Sequence, residues 1–295
     1  MTLKICVAQL NFVVGDMAGN AQKIIDCASA AYANGARLVL TPELSLCGYA
    51  AEDLFLRPSF IQACDDALKT VSTALSGLKG LHVVVGHPSG GDERTRSVSV
   101  QHRFNMASVV CEGHVVASYA KRELPNYQVF DERRYFVAGD QPCVFAVEGT
   151  KVGLLICEDA WFDQPALDAK AAGADLLAVI NASPFHVGKG DEREQAMRGR
   201  VQATGLPLIY AHLVGGQDEV VFEGRSFALN ADGALAARAP SFEVAAFTVD
   251  ARHEKTPPTS NSGSVGVHLS GEVAEDGSQD IVGQTRQVLA AIDAL

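Results

Sequence analysis

The sequence has little of the positive charge that nucleic-acid-binding proteins carry. Its 295 residues hold 24 Lys and Arg against 35 Asp and Glu, which gives a formal net charge of −11, and no run of basic residues occurs. Binding to a phosphate backbone requires a basic patch or stripe. We therefore do not expect nucleic acid as a partner.

Long apolar runs and a targeting signal are also absent from the sequence. No apolar stretch approaches the 18 residues of a transmembrane helix, and MTLKICVAQLNF lacks the basic start, apolar centre and cleavage site of a secretory signal. We expect a cytoplasmic protein with no membrane partner. With 47% hydrophobic residues, the chain is able to bury the core of one large α/β domain or two small ones.

Cysteine is present in an odd number and in no pattern that binds metal. There is neither a C-x-x-C pair nor a Cys/His spacing suited to zinc, so we expect no metal site. We predict free thiols, at most one of them reactive. The seven cysteines are Cys6, Cys27, Cys47, Cys64, Cys111, Cys143 and Cys157.

Short β-branched runs alternate with helical patterns along most of the chain. The runs predict buried strands at 3–9, 37–41, 81–86, 152–157, 175–180 and 207–212. Amphipathic spacing predicts helices at 20–33, 58–77, 162–173 and 191–204. Two hairpins are predicted, at 104–120 with a turn at Glu112-Gly113 and at 219–238 with a turn at 230–233. The mixture indicates an α/β fold with mixed sheets.

The composition changes after Asp250. We predict one domain over residues 1–252, then a flexible polar linker over 253–278, because KTPPTSNSGSVG is rich in Pro, Gly and Ser. Residues 279–295 return to a helical pattern. We expect them to form a C-terminal helical segment, either a tail or the start of a further domain.

Reactive side chains stand at the ends of three predicted strands. Glu43 follows Thr41-Pro42, Lys121 precedes a break at Leu124-Pro125, and Cys157 ends the run VGLLIC. Strand ends are a common place for catalytic groups in α/β sheets. Each also has a structural interpretation: a solvated acid, a lysine lying over aromatic rings, and a small core thiol.

Four phrases occur in a fixed order: TPE, K-x-x-L-P, FDERRYFVAGD and GLLICEDAWF. Over residues 3 to about 250 the chain resembles the carbon–nitrogen hydrolases of the nitrilase superfamily. The resemblance implies a four-layer α-β-β-α sandwich that forms homo-oligomers. It also implies Cys157 as nucleophile, Glu43 as general base, Lys121 and the backbone N–H of Glu158 as oxyanion stabilisers, and Glu132 as a residue that orients Lys121 or water.

Further phrases resemble the glutaminase domains of glutamine-dependent NAD synthetases, namely GYAAEDLF, NASPFHVGK and GGQDEVVFEGRSF. This resemblance implies L-glutamine as substrate, a Cys thioester, and release of ammonia for the amidation of deamido-NAD by a separate ATP-dependent synthetase domain or subunit. It places Tyr49, Phe130, Ser183 and Lys189 with Glu132 in the substrate pocket. A lysine and an acid suit the carboxylate and ammonium of an amino acid.

We expect no ATP or NAD cofactor in this chain, because the pyrophosphate loop S-G-G-x-D-S is missing. HPSGGDER has Ser89-Gly90-Gly91 without the Asp-Ser ending, which predicts a surface turn. Two alternative functions stay open: a stand-alone amidase for another small amide or carbamoyl compound, and a catalytically silent interaction domain. A Cys/His enzyme is a poorer alternative, since no histidine is tied to Cys157 and His186 suits a surface role. Trp161 either walls the pocket or packs.

Overall fold

A computed structural model describes residues 2–90, 102–127, 130–255 and 265–273. The strands are β1 Thr2–Gln9, β2 Leu38–Leu40, β3 His82–Gly90, β4 Arg103–Cys111, β5 His114–Ala120, β6 Val144–Val147, β7 Thr150–Ile156, β8 Leu176–Asn181, β9 Leu208–His212, β10 Val214–Gln217, β11 Val220–Glu223, β12 Phe227–Leu229, β13 Leu235–Arg238, β14 Ala245–Lys255 and β15 Val265–Gly271. The helices are α1 Met17–Ala33, α2 Pro58–Ala74, α3 Glu132–Tyr135, α4 Asp163–Ala171 and α5 Lys189–Thr204, with short 3-10 helices at Glu52–Leu56 and Cys157–Trp161.

Two mixed sheets form the centre of the molecule. The seven-stranded sheet has the order β15-β14-β1-β2-β3-β4-β5, and the six-stranded sheet has the order β13-β12-β9-β8-β7-β6. Strands β1, β2 and β3 are parallel, as are β7, β8 and β9, while the outer strands pair antiparallel. The mixed sheets predicted from the sequence are confirmed.

Alternate residues of the central strands serve two different cores. In β1, Ile5 and Val7 join Leu154 and Ile156 of β7 in one core between the sheets. The intervening residues of β1 pack against α1 and α2, and Leu155 of β7 packs against α4 and α5. Because side chains alternate across a strand, every central strand is covered on both faces. The arrangement is the predicted α-β-β-α sandwich.

The second predicted hairpin is divided in two. Strand β11 pairs with β10, and only β12 and β13 pair across the predicted 230–233 turn. The break falls at Gly224 and Arg225, which both have positive φ, and a Cβ on Gly224 would meet the Gln9 side chain at 2.4 Å. The turn predicted at Ser89 is also wrong in part, because β3 continues to Gly90; residues 91–94 lie outside the described residues.

The linker predicted over 253–278 is wrong where strands occupy it. Residues 253–255 continue β14, and Val265–Gly271 forms β15, which pairs antiparallel with β14. Val267 and Leu269 alternate toward the core between the sheets, and this apolar alternation outweighs the polar composition around it. Residues 256–264, 274–278 and the predicted helical segment 279–295 lie outside the described residues. None of the described helices combines the length and apolarity needed to span a membrane.

Candidate active site

Four of the residues predicted to be catalytic lie around one buried point. Lys121 follows β5, and its Nζ lies 2.8 Å from Oε1 of Glu43 and 2.7 Å from Oε1 of Glu132. Glu43 and Lys121 are fully buried, and Glu132 is 5% exposed. The Cys157 thiol is close enough for Glu43, Lys121 and Glu132 all to act on its pKa. Glu43, Lys121, Glu132 and Cys157 therefore form one cluster, although Glu43 and Cys157 are more than a hundred residues apart in the sequence.

The Glu43 carboxylate is held by donors from three directions. Besides Lys121, the side chain of Asn105 on β4 donates to Oε1 at 2.8 Å, and the backbone N–H of Ala182 donates to Oε2 at 3.1 Å. Behind the loop, Leu46 N donates to the carbonyl of Gly86 at 3.0 Å. A buried carboxylate needs such donors, and they fix its orientation. Asn105 was not predicted, because a single Asn in a strand carries no local signal.

Lys121 is an ammonium ion in this setting. Burial alone lowers the pKa of its amine, but the adjacent carboxylates of Glu132 and Glu43 outweigh burial and hold that pKa well above its ordinary value. Its backbone is fixed as well, since Lys121 N donates to Asn105 O at 2.8 Å and Gly139 N donates to Lys121 O at 2.8 Å. The site therefore contains a permanent, rigidly placed positive charge.

Glu132 begins the short helix α3 and differs from Glu43 in its surroundings. Burial is the largest of the effects that together raise the pKa of Glu132 to about 7; the charge of Lys121 lowers this pKa and the charge of Glu43 raises it. Its Oε2 is buried without a hydrogen-bond partner, and Tyr49 OH lies 3.4 Å from its Oε1. Glu132 is therefore partly protonated near neutral pH.

Cys157 is placed at the end of β7 by an unusual backbone conformation. Its φ is +47°, in the left-handed region that non-glycine residues rarely occupy, and it begins the 3-10 helix Cys157–Trp161. Burial raises the pKa of the thiol well above its ordinary value, and Glu43 adds to this effect while Lys121 opposes it. The resting thiol is therefore protonated, and it requires a base to become nucleophilic.

One cavity borders the cluster through Glu132, and a second is lined by Glu158, the residue after Cys157. One, of about 60 Å³, is lined by Tyr49, Phe130 and Glu132 with surrounding apolar residues. The other, of about 240 Å³, is lined by the segment 123–127 together with Arg133, Glu158 and Phe162. Tyr49 and Phe130, both predicted to line the pocket, therefore face a cavity beside Glu132.

Glu158 lines the second cavity, and Lys189 lies within electrostatic reach of it. Tyr127 OH donates to both oxygens of the Glu158 carboxylate, at 2.9 and 3.1 Å. Burial raises the pKa of Glu158, and the charge of Lys189 is among the effects that oppose it. Lys189 Nζ lies 4.5 Å from the centre of the Trp161 ring and 3.2 Å from Oε2 of Glu192. The Trp161 ring therefore makes a cation–π contact with the Lys189 ammonium.

The remaining predicted residues have distinct settings. Ser183 follows β8, is 6% exposed, and its Oγ lies 3.0 Å from the side-chain amide of Asn181. The N–H of Glu158 lies in the first turn of a 3-10 helix, where backbone N–H groups have no partner within the helix. His186 is exposed, 3.9 Å from Glu192. The Glu158 side chain and Tyr127 were not predicted as site residues. Glu158 follows the predicted Cys157 in the sequence, and the ring of Tyr127 contacts that of the predicted Phe130.

The cluster combines several groups that take part in acyl transfer. No group of three or more His, Cys, Asp or Glu in the described ranges is arranged to hold a metal ion. All seven cysteines are free. A protonated thiol, a carboxylate base, an ammonium ion and a second carboxyl are together suited to attack on a polar carbonyl.

Comparisons with known proteins agree with this chemistry. The family model described as carbon–nitrogen hydrolase matches residues 4–257. The chain is 42% identical over 251 residues to a glutamine-dependent NAD(+) synthetase of Xylella fastidiosa, covering 84% of this chain and 44% of that protein. Over 248 residues it is 39% identical to the protein of that name from Aquifex aeolicus, covering 84% of this chain and 42% of the relative.

Two solved structures extend the comparison. The glutamine-dependent NAD+ synthetase of Acinetobacter baumannii superposes with a TM-score of 0.78 at 36% identity, covering 85% of this chain and 45% of that one. An amidase from Nesterenkonia superposes with a TM-score of 0.73 at 26% identity, covering 84% of this chain and 89% of the amidase. The chain therefore spans less than half the length of these synthetases and most of the length of the amidase.

Proposed function

Because this chain belongs to the carbon–nitrogen hydrolase family, we propose that it hydrolyses the side-chain amide of L-glutamine to glutamate and ammonia through a thioester on Cys157. The observation that carries the proposal is the buried contact of Lys121 with both Glu43 and Glu132, within electrostatic reach of the Cys157 thiol. The chain's identity of 42% to a glutamine-dependent NAD(+) synthetase supports glutamine as the substrate.

The first half-reaction forms the thioester. Glu43 takes the proton of the Cys157 thiol, and the sulfur attacks the carboxamide carbon. The resulting oxyanion is stabilised by the Lys121 ammonium and by the N–H of Glu158, a contribution of ~3 kcal/mol for a single donor of this kind. Glu43 then returns the proton to the nitrogen, the C–N bond breaks, and ammonia leaves.

The second half-reaction releases the acid. Glu43, again a carboxylate, takes a proton from water, and the hydroxide attacks the thioester carbon. The same two donors stabilise the second oxyanion, and the Cys157 sulfur leaves and recovers the proton. Glu132, whose pKa is raised to about 7 by burial, fixes Lys121 without adding a full second negative charge at neutral pH.

The charges at the larger cavity suit an amino acid substrate. The Glu158 carboxylate, held by Tyr127, lines the cavity and is placed to receive the α-ammonium group. Lys189 acts electrostatically on Glu158 and offers a cation to the α-carboxylate. Tyr49, Phe130 and Ser183 complete the pocket in this proposal. An uncharged aliphatic amide would make no ion pair with either residue.

The ammonia is proposed to serve a second active site. The synthetases with which the chain aligns are more than twice as long as the aligned region, which covers 44% of the Xylella protein. We infer that an ammonia-dependent, ATP-using synthetase domain or subunit takes the product and amidates deamido-NAD. ATP and deamido-NAD would bind to that partner, and assembly into a homo-oligomer is part of the same proposal.

A second candidate is a stand-alone amidase for another small amide. The Nesterenkonia amidase favours it, because the match covers 89% of that protein. A catalytically silent interaction domain is not supported, since the ionisable groups of the cluster are intact and buried together.

Ammonia release from L-glutamine by the purified chain tests the proposal. Wild type, Cys157→Ala and the matched control Cys143→Ala, whose thiol is buried in the same core, are assayed with and without an ammonia-dependent NAD synthetase. We expect release by wild type and Cys143→Ala and none by Cys157→Ala. Release from a panel of aliphatic or carbamoyl amides with none from glutamine would support the amidase instead.

A further inference from the structure

The two halves of the candidate active site belong to different sheets. Lys121 follows β5, the edge strand of the seven-stranded sheet, whereas Cys157 follows β7 of the six-stranded sheet. Among the described residues the two sheets are joined through the backbone only by an isolated bridge of Arg238 with Val273, next to β13 and β15, so backbone pairing does not set the position of the ammonium relative to the sulfur. Side chains that cross between the two strand ends have to set it.

Asp159 is such a side chain. It lies in the 3-10 helix two residues after Cys157 and is fully buried. Its Oδ1 accepts hydrogen bonds from the backbone N–H groups of Arg122 at 2.9 Å and Glu123 at 2.8 Å, the two residues that follow Lys121.

The other carboxylate oxygen of Asp159 completes the connection. Oδ2 accepts from the backbone N–H of Ile156 at 3.0 Å, immediately before Cys157, and from Tyr119 OH at 2.9 Å, two residues before Lys121. The four donors therefore flank Lys121 on both sides and Cys157 on one. All four are N–H or O–H groups, which only an ionised carboxylate accepts with both oxygens.

We propose that Asp159 is a positioning residue that fixes the Lys121 strand end against the Cys157 turn and so sets the placement of the ammonium beside the thiol. This inference rests on the proposed function, in which Lys121 and Cys157 act on one carbonyl. Asparagine at this position would turn an NH₂ group toward one pair of donors. The main-chain segments on either side of the site would then separate slightly, with loss of the reactive geometry.

Asn230 provides a matched control, because it also joins the two sheets through its side chain. It follows β12 of the six-stranded sheet, and its Oδ1 accepts from Leu269 N of β15 at 2.7 Å while its Nδ2 donates to Leu269 O at 3.1 Å. Asn230 is 9% exposed. It connects β12 to the opposite edge of the seven-stranded sheet from β5, so its loss perturbs sheet packing but not the candidate site.

The experiment compares Asp159→Asn, Tyr119→Phe and Asn230→Ala with wild type at pH 8. Burial raises the pKa of Asp159 to about 6, so its carboxylate is ionised at this pH. Four quantities are measured: the melting temperature, the rate of Cys157 alkylation by a small haloacetamide followed by peptide mass spectrometry, and kcat and KM for glutamine.

We expect Asp159→Asn to lower both the alkylation rate and kcat by ~100-fold with KM changed less than about threefold, the effect of a misplaced reactive group. Tyr119→Phe removes one of the four donors and is expected to lower both rates by ~5-fold. Tyr119→Phe tests the same connection if Asp159→Asn does not fold. Asn230→Ala is expected to lower the melting temperature and leave both rates within about threefold of wild type.

A lower melting temperature of Asp159→Asn and Tyr119→Phe, with an unchanged alkylation rate and kcat, would overturn the proposal. A change confined to KM in these variants would also overturn it. The alkylation rate does not depend on the identity of the substrate. If wild type fails to hydrolyse glutamine while alkylation still falls in the Asp159 and Tyr119 variants, the substrate assignment fails and the positioning role stands.

Discussion

Gly86 on β3 is predicted to be essential for activity although it carries no functional group. A Cβ built at this position would lie 2.5 Å from Leu44 N, 2.5 Å from Pro42 O and 2.9 Å from the carbonyl carbon of Glu43. All three are backbone atoms of the loop that bears the proposed base, so no flexible side chain is able to move aside. In Gly86→Ala the loop itself has to shift.

The size of the shift follows from these contacts. Ordinary van der Waals contact begins at 3.4 Å, so the two atoms at 2.5 Å have to retreat by about 0.9 Å. Overpacking of this kind costs about 1–3 kcal/mol in folding free energy. A displacement near 1 Å in a reacting group lowers the rate by ~100-fold. We therefore expect a variant that folds but has kcat reduced about 100-fold.

The assay is ammonia release under saturating glutamine, with urea denaturation as the measure of stability. Gly199→Ala is the control, because it lies within α5 and its Cβ would meet no atom within 4 Å. Replacing a glycine within a helix by alanine is expected to stabilise by about 0.5–1 kcal/mol, with kcat unchanged. A Gly86→Ala enzyme with kcat within about threefold of wild type would refute the claim that the position of Glu43 is critical.

Three further predictions concern the charges. Lys121→Met leaves the carboxyls of Glu43 and Glu132 together without a cation, so the free energy of unfolding should fall by ~3–5 kcal/mol at pH 8. The fall should be smaller in acid, where the Glu132 carboxyl is protonated, and equal losses at both pH values would contradict this. Burial raises the Glu132 pKa to about 7 from 4.5, so the stability contributed by this group is fully present below pH 4.5 and is lost as pH rises through 7. The side chain introduced in Glu132→Gln does not titrate. The unfolding free energy of this variant minus that of wild type should therefore rise by up to ~3 kcal/mol between pH 4.5 and 8. A difference that does not change with pH would show that the pKa of Glu132 is not shifted. Glu158→Gln should raise KM for glutamine ~10-fold or more with a smaller effect on kcat, and a KM equal to that of wild type would exclude this carboxylate as the ammonium site.

The residues predicted from sequence share a recognisable local setting. Glu43, Lys121 and Cys157 each end a β-branched run. The structure brings these ends together, although β2 and β5 belong to the seven-stranded sheet and β7 to the six-stranded sheet. Their catalytic roles stay predictions. The apolar runs likewise predicted buried strands, because a strand between two layers has to be apolar on both faces. The four layers were implied only by the resemblance to the carbon–nitrogen hydrolases.

The unpredicted residues are those whose partners lie far away in the sequence. Asn105 donates to Glu43, 62 residues away, and Asp159 accepts from Arg122 and Glu123, 37 and 36 residues away. Nothing in their local sequence indicates those partners. The error at β15 had a different cause: the polar composition of the segment concealed Val267 and Leu269, whose burial becomes evident only when β14 provides an edge to pair with.

The central claim is that Cys157 attacks the side-chain amide of glutamine within the cluster of Glu43, Lys121 and Glu132. The most direct measurement is covalent labelling by a glutamine analogue that carries a γ-electrophile, followed by intact-mass analysis and peptide mapping of all seven cysteines. We expect one label per chain, on Cys157. Glutamine should slow this labelling, and labelling should be much slower in Lys121→Met than in wild type. Labelling at another cysteine, or labelling of Cys157 that glutamine does not prevent, would contradict it.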